Sequence, residues 1–205
     1  MANETKVSLT ILLPGGRLPL DIMETALTLA KKYNLGLYLS TLQNLRLLDI
    51  PESLLDDIKK PLADLGAEFK APGRFPIPRV CVGRGHCKLG LIDTETLSRK
   101  ILAHFAGREK TKGKLKIAIA ACTMGCPGIG TSDIGIVATR NGYDIFAGGK
   151  GGTYPKISRR IRRDVNEDEV VKTLDTLIEF HDRKTTTKQR MFKLLDDPDF
   201  PFPET

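Results

Sequence analysis

The sequence contains no tryptophan, and aromatic residues make up only 6% of its 205 positions. Proteins that bind single-stranded nucleic acid stack bases on aromatic rings, so this composition disfavours a nucleic-acid partner. No run of about 18 apolar residues occurs, so we expect no transmembrane helix and no membrane association. The first residues lead into a strand-like run without a signal-peptide pattern, which predicts a cytoplasmic protein.

Acidic residues are outnumbered by basic ones, and the formal net charge is +7. A protein with this charge attracts anions. The anion could be a nucleic acid, a phosphate, an oxyanion or a cofactor with several carboxylates. Charge alone does not choose among these classes.

Hydrophobic periodicity predicts an α+β fold that begins with the order strand, helix, strand, strand, helix. The predicted elements are strands at 7–13, 37–41 and 45–49 and helices at 19–33 and 51–65. This βαββα order is half of a ferredoxin-like sandwich, which we assign to residues 1–70.

A proline-rich stretch at 71–78 predicts a domain boundary. We expect an α/β domain over 71–183, and an extended C-terminal arm over 184–205, where the last ten residues are acidic and rich in proline. Further elements predicted after the boundary are helices at 92–106 and 167–182 and strands at 117–121, 134–138 and 143–147.

Only four cysteines occur, and they form two close pairs. Cys81 and Cys87 are separated by five residues, Cys122 and Cys126 by three. Disulfides are rare in cytosolic proteins, so this placement favours one site with four thiolate ligands.

Both pairs lie in glycine-rich segments, and a proline follows Cys126. Glycine lets the backbone approach a bulky inorganic core, and proline after a ligand cysteine occurs in bacterial ferredoxins. An iron–sulfur cubane is therefore our first interpretation. A structural zinc site is the alternative, although zinc favours two to four residues between paired cysteines. The third interpretation is that the four cysteines are free thiols without a metal.

The spacing Cys-x5-Cys and Cys-x3-Cys resembles the cluster signature of siroheme-dependent sulfite and nitrite reductases. Residues 41–45 (Thr-Leu-Gln-Asn-Leu) and 50–53 (Ile-Pro-Glu-Ser) are similar to that family's ferredoxin-like half-domain. Residues 143–149 (Tyr-Asp-Ile-Phe-Ala-Gly-Gly) are similar to its strand after the cluster. The resemblance covers about residues 5–183, and the length fits the small, single-repeat, assimilatory-type sulfite reductases.

The resemblance implies a 4Fe-4S cluster and siroheme as cofactors. It implies Cys81, Cys87, Cys122 and Cys126 as cluster ligands, with the Cys126 thiolate bridging to the siroheme iron. It also implies that Asn44 and Gly125 contact the cofactors. The reaction implied is the six-electron reduction of sulfite to sulfide, or of nitrite to ammonia, with electrons from an external donor such as a ferredoxin-like protein.

Siroheme carries several carboxylates, so its pocket must be basic. Between 150 and 163 there are six basic residues and no acid. We predict that Arg79, Arg84, Lys150 and Arg159 bind the cofactor. The alternative is a solvated basic face or a nucleic-acid patch.

Substrate-binding cations cannot be transferred by position, because Leu42 stands where the first half of larger relatives carries an arginine. Charge and proximity to the cysteines select Arg79, Arg84, Lys150 and Lys156 as substrate-binding candidates, and Arg84, Lys150 and Lys156 among them as catalytic. Either the small enzymes use different cations, or two chains form a homodimer that replaces the missing half. A third alternative is that the protein keeps the cofactors but has another redox role. An electron-transfer protein with the cluster but without siroheme is the alternative function.

Overall fold

The computed structural model describes residues 4–108, 111, 114–186 and 189–205. The chain divides into two compact units, Met1–Ala71 and Pro72–Thr205. Parts of all three predicted regions lie outside the described residues: 1–3 of the half-domain, 109–110 and 112–113 of the 71–183 domain, and 187–188 of the arm. Within the described residues, no helix is long and apolar enough to cross a membrane.

The first unit is one antiparallel sheet with two helices. Its elements are β1 (Lys6–Leu12), α1 (Leu20–Tyr33), β2 (Gly36–Leu39), β3 (Leu45–Pro51), α2 (Leu55–Asp64) and β4 (Glu68–Phe69). The strands lie in the order β2-β3-β1-β4. This confirms the predicted βαββα order and adds the short β4, which the sequence analysis did not predict.

Helix α1 shows why the first unit folds as its sequence predicts. Its buried residues recur at helical spacing, at Ile22, Ala26 and Leu29, and face the sheet. The helix ends at Asn34, whose backbone is left-handed (φ 53°) and whose N–H bonds to the Ala30 carbonyl. Asparagine tolerates this conformation better than most residues, so it stops the helix cleanly.

The second unit contains a five-stranded mixed sheet and two long helices. Its elements are β5 (Arg79–Val80), α3 (Thr94–His104), β6 (Ile117–Ala120), β7 (Ile134–Ala138), β8 (Tyr143–Ala147), β9 (Arg159–Val165) and α4 (Glu167–Lys184). The strands follow the order β5-β6-β7-β8-β9. The first three run parallel, and β8 and β9 pair antiparallel. The predicted α+β fold class is therefore confirmed.

The two faces of this sheet bury residues of different size. One face packs isoleucines such as Ile119, Ile136 and Ile145 in one cluster with residues of α3 and α4. The opposite face is made of smaller residues, including Ala118 and Ala120, beside Ile129. Strand β6 is buried along its whole length, as its short apolar run predicts.

The C-terminal segment packs into the second unit. Met191, Leu194 and Phe202 are all buried in its main core. The sequence predicts an extended arm here, because prolines and acids dominate the last ten residues. The structure instead uses the apolar residues between them as anchors, and the acids pair with basic residues of the same unit.

Candidate metal centre

The four cysteines follow two neighbouring parallel strands. Cys81 comes directly after β5, and Cys122 lies two residues beyond the end of β6. Because β5 and β6 run parallel, their carboxyl ends lie at the same edge of the sheet. The fold thus brings the two cysteine segments, 81–91 and 122–132, to one edge.

Hydrogen bonds join the two segments next to the ends of β5 and β6. The Cys81 N–H donates to the Ile119 carbonyl over 3.3 Å, and the Ala121 N–H donates to the Cys81 sulfur over 3.2 Å. Farther along, the Leu91 N–H donates to the Ala121 carbonyl over 2.9 Å. Residues on both sides of the first pair are therefore fixed beside Cys122, and the Cys81 sulfur already accepts one backbone amide.

The first segment is folded tightly on itself. The Arg84 N–H donates to the Ile92 carbonyl over 2.7 Å, and the Cys87 N–H donates to the Gly83 carbonyl over 3.0 Å. A Cβ atom at Gly90 would lie only 2.7 Å from the Arg84 nitrogen. Only glycine fits this close backbone approach, which explains the glycine density that the sequence shows here.

The second segment turns through two glycines with positive φ, Gly125 (63°) and Gly128 (81°). The Gly125 N–H donates to the Cys122 carbonyl over 3.3 Å, and the Gly128 N–H donates to the Gly125 carbonyl over 2.9 Å. In each segment the first cysteine is half-buried and the second, Cys87 or Cys126, is exposed. All four thiols are free.

Within the described residues, no group of three or more His, Cys, Asp or Glu side chains is arranged to hold a single metal ion. A mononuclear zinc site would need its thiolates about 2.3 Å from one atom. A cubane spaces its ligand sulfurs more widely, because the inorganic core lies between them. The absence of such a group among the described residues therefore bears on a mononuclear site alone.

Arg79 is a half-buried cation beside the second segment. Its guanidinium donates to the Ser132 hydroxyl over 2.9 Å and lies 3.5 Å from where a Gly128 Cβ would be. Its Nε atom is buried and has no hydrogen-bond partner among the described residues. Burial lowers the pKa of the Arg79 guanidinium from its ordinary value, yet an arginine stays protonated in proteins. Arg79 is thus a protonated cation beside the second segment whose Nε–H lacks an acceptor among the described residues.

Lys150 and Lys156 form the ends of a short hairpin, residues 150–156, which we call the basic hairpin. The Lys150 N–H donates to the Lys156 carbonyl over 2.9 Å, and the reverse bond is 2.8 Å. The chain after the hairpin bonds to the second cysteine segment, because the Ser158 N–H donates to the Gly130 carbonyl over 2.9 Å. The hairpin backbone therefore lies beside the second cysteine segment. The Lys150 ammonium itself donates to the Tyr154 carbonyl over 3.3 Å and lies 5.6 Å from the centre of the Phe192 ring.

Three other predicted residues make different contacts. The Arg84 guanidinium donates to the Leu91 carbonyl within its own segment. Arg159 pairs with Asp196 and lies 3.8 Å from a Glu204 oxygen, so acids of the C-terminal segment already neutralise it. Asn44 lies in the first unit, where its side-chain oxygen accepts the Leu13 N–H over 3.4 Å.

Two residues that were not predicted from the sequence organise this edge, Ser132 and Asp133. The Ser132 hydroxyl accepts from Arg79 and donates to the Gly128 carbonyl over 2.8 Å. The next residue, Asp133, is 1% exposed and accepts hydrogen bonds from Arg190 and from the Lys116 N–H. A polar pair directly before an apolar strand was the available signal, because such residues are buried only when they are hydrogen-bonded.

Two family models match the chain. One, described as nitrite and sulphite reductase 4Fe-4S domain, matches residues 78–200, more than half of the chain. The chain belongs to this family. The other, the nitrite/sulfite reductase ferredoxin-like half domain, matches residues 1–65. Membership confirms the resemblance read from the cysteine spacing and implies a 4Fe-4S cluster and siroheme.

Individual family members are similar over most of this chain. A nitrite reductase [NAD(P)H] of Emericella nidulans is 29% identical over 89% of the chain, which spans only 17% of that protein. An assimilatory-type sulfite reductase of Nitratidesulfovibrio vulgaris is 22% identical over 89% of the chain and 84% of its own length. The Mycobacterium tuberculosis NirA structure shares the fold, with a TM-score of 0.77 at 19% identity over 95% of this chain and 40% of that one.

Proposed function

We propose that this protein reduces sulfite to sulfide, or nitrite to ammonia, in a six-electron reaction that uses a 4Fe-4S cluster and siroheme. The observation that carries the proposal is the joining of the two cysteine segments at one sheet edge, with the Ala121 N–H bonded to the Cys81 sulfur. The similarity to nitrite and sulfite reductases supports the choice of substrates.

The four cysteines are the proposed cluster ligands, and Cys126 is the proposed bridge to siroheme. When bound, the two groups would pass on electrons from an external donor and supply the open metal position that the reduction needs. The chain contributes a rigid frame of hydrogen-bonded turns, with Gly125 keeping the backbone close to Cys122 and Cys126. A frame held in this way fixes the thiolates before the cluster is loaded.

Cations supply the binding site for the anions. Arg79 has an unsatisfied donor and only a hydroxyl partner, so we propose that it binds a cofactor carboxylate or the oxyanion. Lys150 and Lys156 are the proposed substrate-binding and proton-donating groups. Cofactor binding by Arg84, Arg159 and Asn44 stays a prediction. Arg159 is the weakest candidate of the three, because it already pairs with acids.

We assign a separate role to each of the three regions predicted from the sequence. Residues 1–70 form the ferredoxin-like half-domain, 71–183 hold the cofactors and 184–205 close the second unit. We further propose an external electron donor, a homodimer that replaces the half that this chain lacks relative to larger relatives, and a cytoplasmic location, where free thiols stay reduced.

The test is anaerobic turnover. Protein loaded with both cofactors and given reduced methyl viologen should consume six electrons for each sulfite and release one sulfide. Nitrite is assayed in parallel for ammonia. If the protein exchanges electrons with the dye but reduces neither anion, it is an electron-transfer protein, and the proposed reaction is wrong.

Replacing Arg79 with methionine should weaken oxyanion or cofactor binding without harming the fold. Loss of a charged hydrogen-bond donor costs about 1.5–3 kcal/mol, so the sulfite KM should rise by about tenfold or more. The melting temperature should stay the same or rise, because a half-buried cation without a carboxylate partner opposes folding. Steady-state kinetics and thermal melts measure both effects.

The control is Arg140→Met, which removes an exposed arginine of the same unit. That variant should keep the wild-type KM. A wild-type KM in Arg79→Met, with siroheme content unchanged, would remove Arg79 from the site.

A further inference from the structure

Arg190 ties together two segments that the proposed site needs. Its Nε donates to the Asp133 carboxylate over 2.7 Å, and its terminal nitrogen donates to the Gly149 carbonyl over 3.1 Å. Asp133 directly follows the second cysteine segment, and Gly149 directly precedes the basic hairpin. One guanidinium therefore spans both.

The Asp133 carboxylate has few alternatives to this partner. It is 1% exposed, and its two oxygens accept the Lys116 N–H over 2.9 Å and the Met191 N–H over 3.3 Å besides Arg190. A buried carboxylate needs a compensating positive charge. Among the described residues, Arg190 is the cation that supplies it.

The backbone at Gly149 lies in close contact with the second cysteine segment. A Cβ there would lie 2.4 Å from the Ser132 carbonyl oxygen and 2.6 Å from that of Gly130. The carbonyl that Arg190 binds thus belongs to the residue where the two segments touch. A shift of Gly149 away from this contact would move Lys150, its neighbour in the chain.

We infer that Arg190 is a positioning residue, which holds the basic hairpin, with Lys150 and Lys156 at its ends, against the second cysteine segment. The inference rests on the proposed function for the role of these lysines. Arginine suits the task because its planar fork can serve two acceptors at once. A lysine could keep the charge beside Asp133 but would lose the second bond.

The test is Arg190→Lys in the full chain, followed first by amide hydrogen exchange. The variant keeps the ion pair with Asp133, so the second unit should stay folded. Peptides that cover 148–158 should exchange about tenfold faster, because the cross-strand bonds of the hairpin open more often. Peptides from α3 and from the first unit should be unchanged, and Arg140→Lys, at an exposed position, should match the wild type throughout.

The second readout is kinetic. In the loaded protein, Arg190→Lys should raise the sulfite KM several-fold more than it lowers kcat. In a Lys150→Met background the same substitution should change KM little, because residues that act through one another are not additive.

Unchanged exchange at 148–158, or faster exchange across the whole second unit, would overturn the positioning role. So would a rise in KM that persists undiminished in the Lys150→Met background. The proposed function fails separately, if the wild type reduces neither anion, and the exchange result stands in that case.

Discussion

Replacing Cys126 with serine is expected to abolish sulfite reduction. Iron–sulfur clusters are held by thiolates, and a serine hydroxyl is neither soft nor acidic enough to replace one. Loss of an outer-shell partner of a metal ligand already costs 10–100-fold in metal affinity or activity, so loss of a proposed bridging ligand should cost about 100-fold or more. Turnover with reduced methyl viologen measures the loss.

The matched control is Met124→Ser, two residues away in the same segment. Met124 is 67% exposed, so its replacement removes no buried contact. This variant should keep its activity and its absorption spectrum. Normal turnover in Cys126→Ser would contradict the assignment of Cys126 as the bridge.

Among glycine-to-alanine substitutions near the site, Gly149→Ala is expected to cause the largest loss in the free energy of unfolding. The new Cβ would meet two carbonyl oxygens and the Ser132 nitrogen at 2.4–2.7 Å, and backbone atoms cannot move aside as a flexible side chain can. Overpacking of this kind costs about 1–3 kcal/mol or more in the free energy of unfolding. Urea unfolding followed by circular dichroism measures it.

Gly151→Ala is the control, because it adds the same methyl group two residues away. The nearest atom to its Cβ would be the Thr131 Cβ at 3.8 Å, an ordinary contact. We expect a change within about 0.5 kcal/mol. Equal stabilities for the two variants would mean that the backbone contact between Gly149 and the second cysteine segment is not as tight as the structure has it.

Most of the fold could be predicted from hydrophobic periodicity. Strands β7 and β8 lie at the predicted residues, and α4 differs only by its extension to Lys184. Strand β9 was missed because its sequence, Arg-Arg-Ile-Arg-Arg-Asp-Val, has only Ile161 and Val165 buried. Its arginines are not simply solvated, since Arg162 lies over the Phe202 ring at 4.2 Å and Arg160 pairs with Asp144. Such long-range partners are invisible to a local pattern.

The candidate site could be predicted in part. The spacing of the cysteines was sufficient to group them, and the parallel pairing of β5 with β6 supplies the physical reason. The short β5 has only two residues, too few to give a periodic signal. The ion pair between Asp133 and Arg190 could not be predicted, because these residues are 57 positions apart and only the tertiary fold brings them together.

Charge in the sequence overstated the number of free cations. Between 150 and 163 every charged residue is basic, yet Arg159 and Arg160 are paired with acids in the folded chain. The acids come from β8 and from the C-terminal segment. Arg79, which the sequence also predicts as a cofactor ligand, differs from these two arginines because its buried Nε has no hydrogen-bond partner among the described residues.

The most direct test is the absorption spectrum of protein purified without oxygen, together with its iron and acid-labile sulfide content. We predict a Soret band and a red band from siroheme, with four non-haem irons and four sulfides for each chain. A broad shoulder without these two bands would indicate that the protein binds the cluster but not siroheme. A colourless protein, or one whose cysteines are joined as cystines, would contradict the account as a whole.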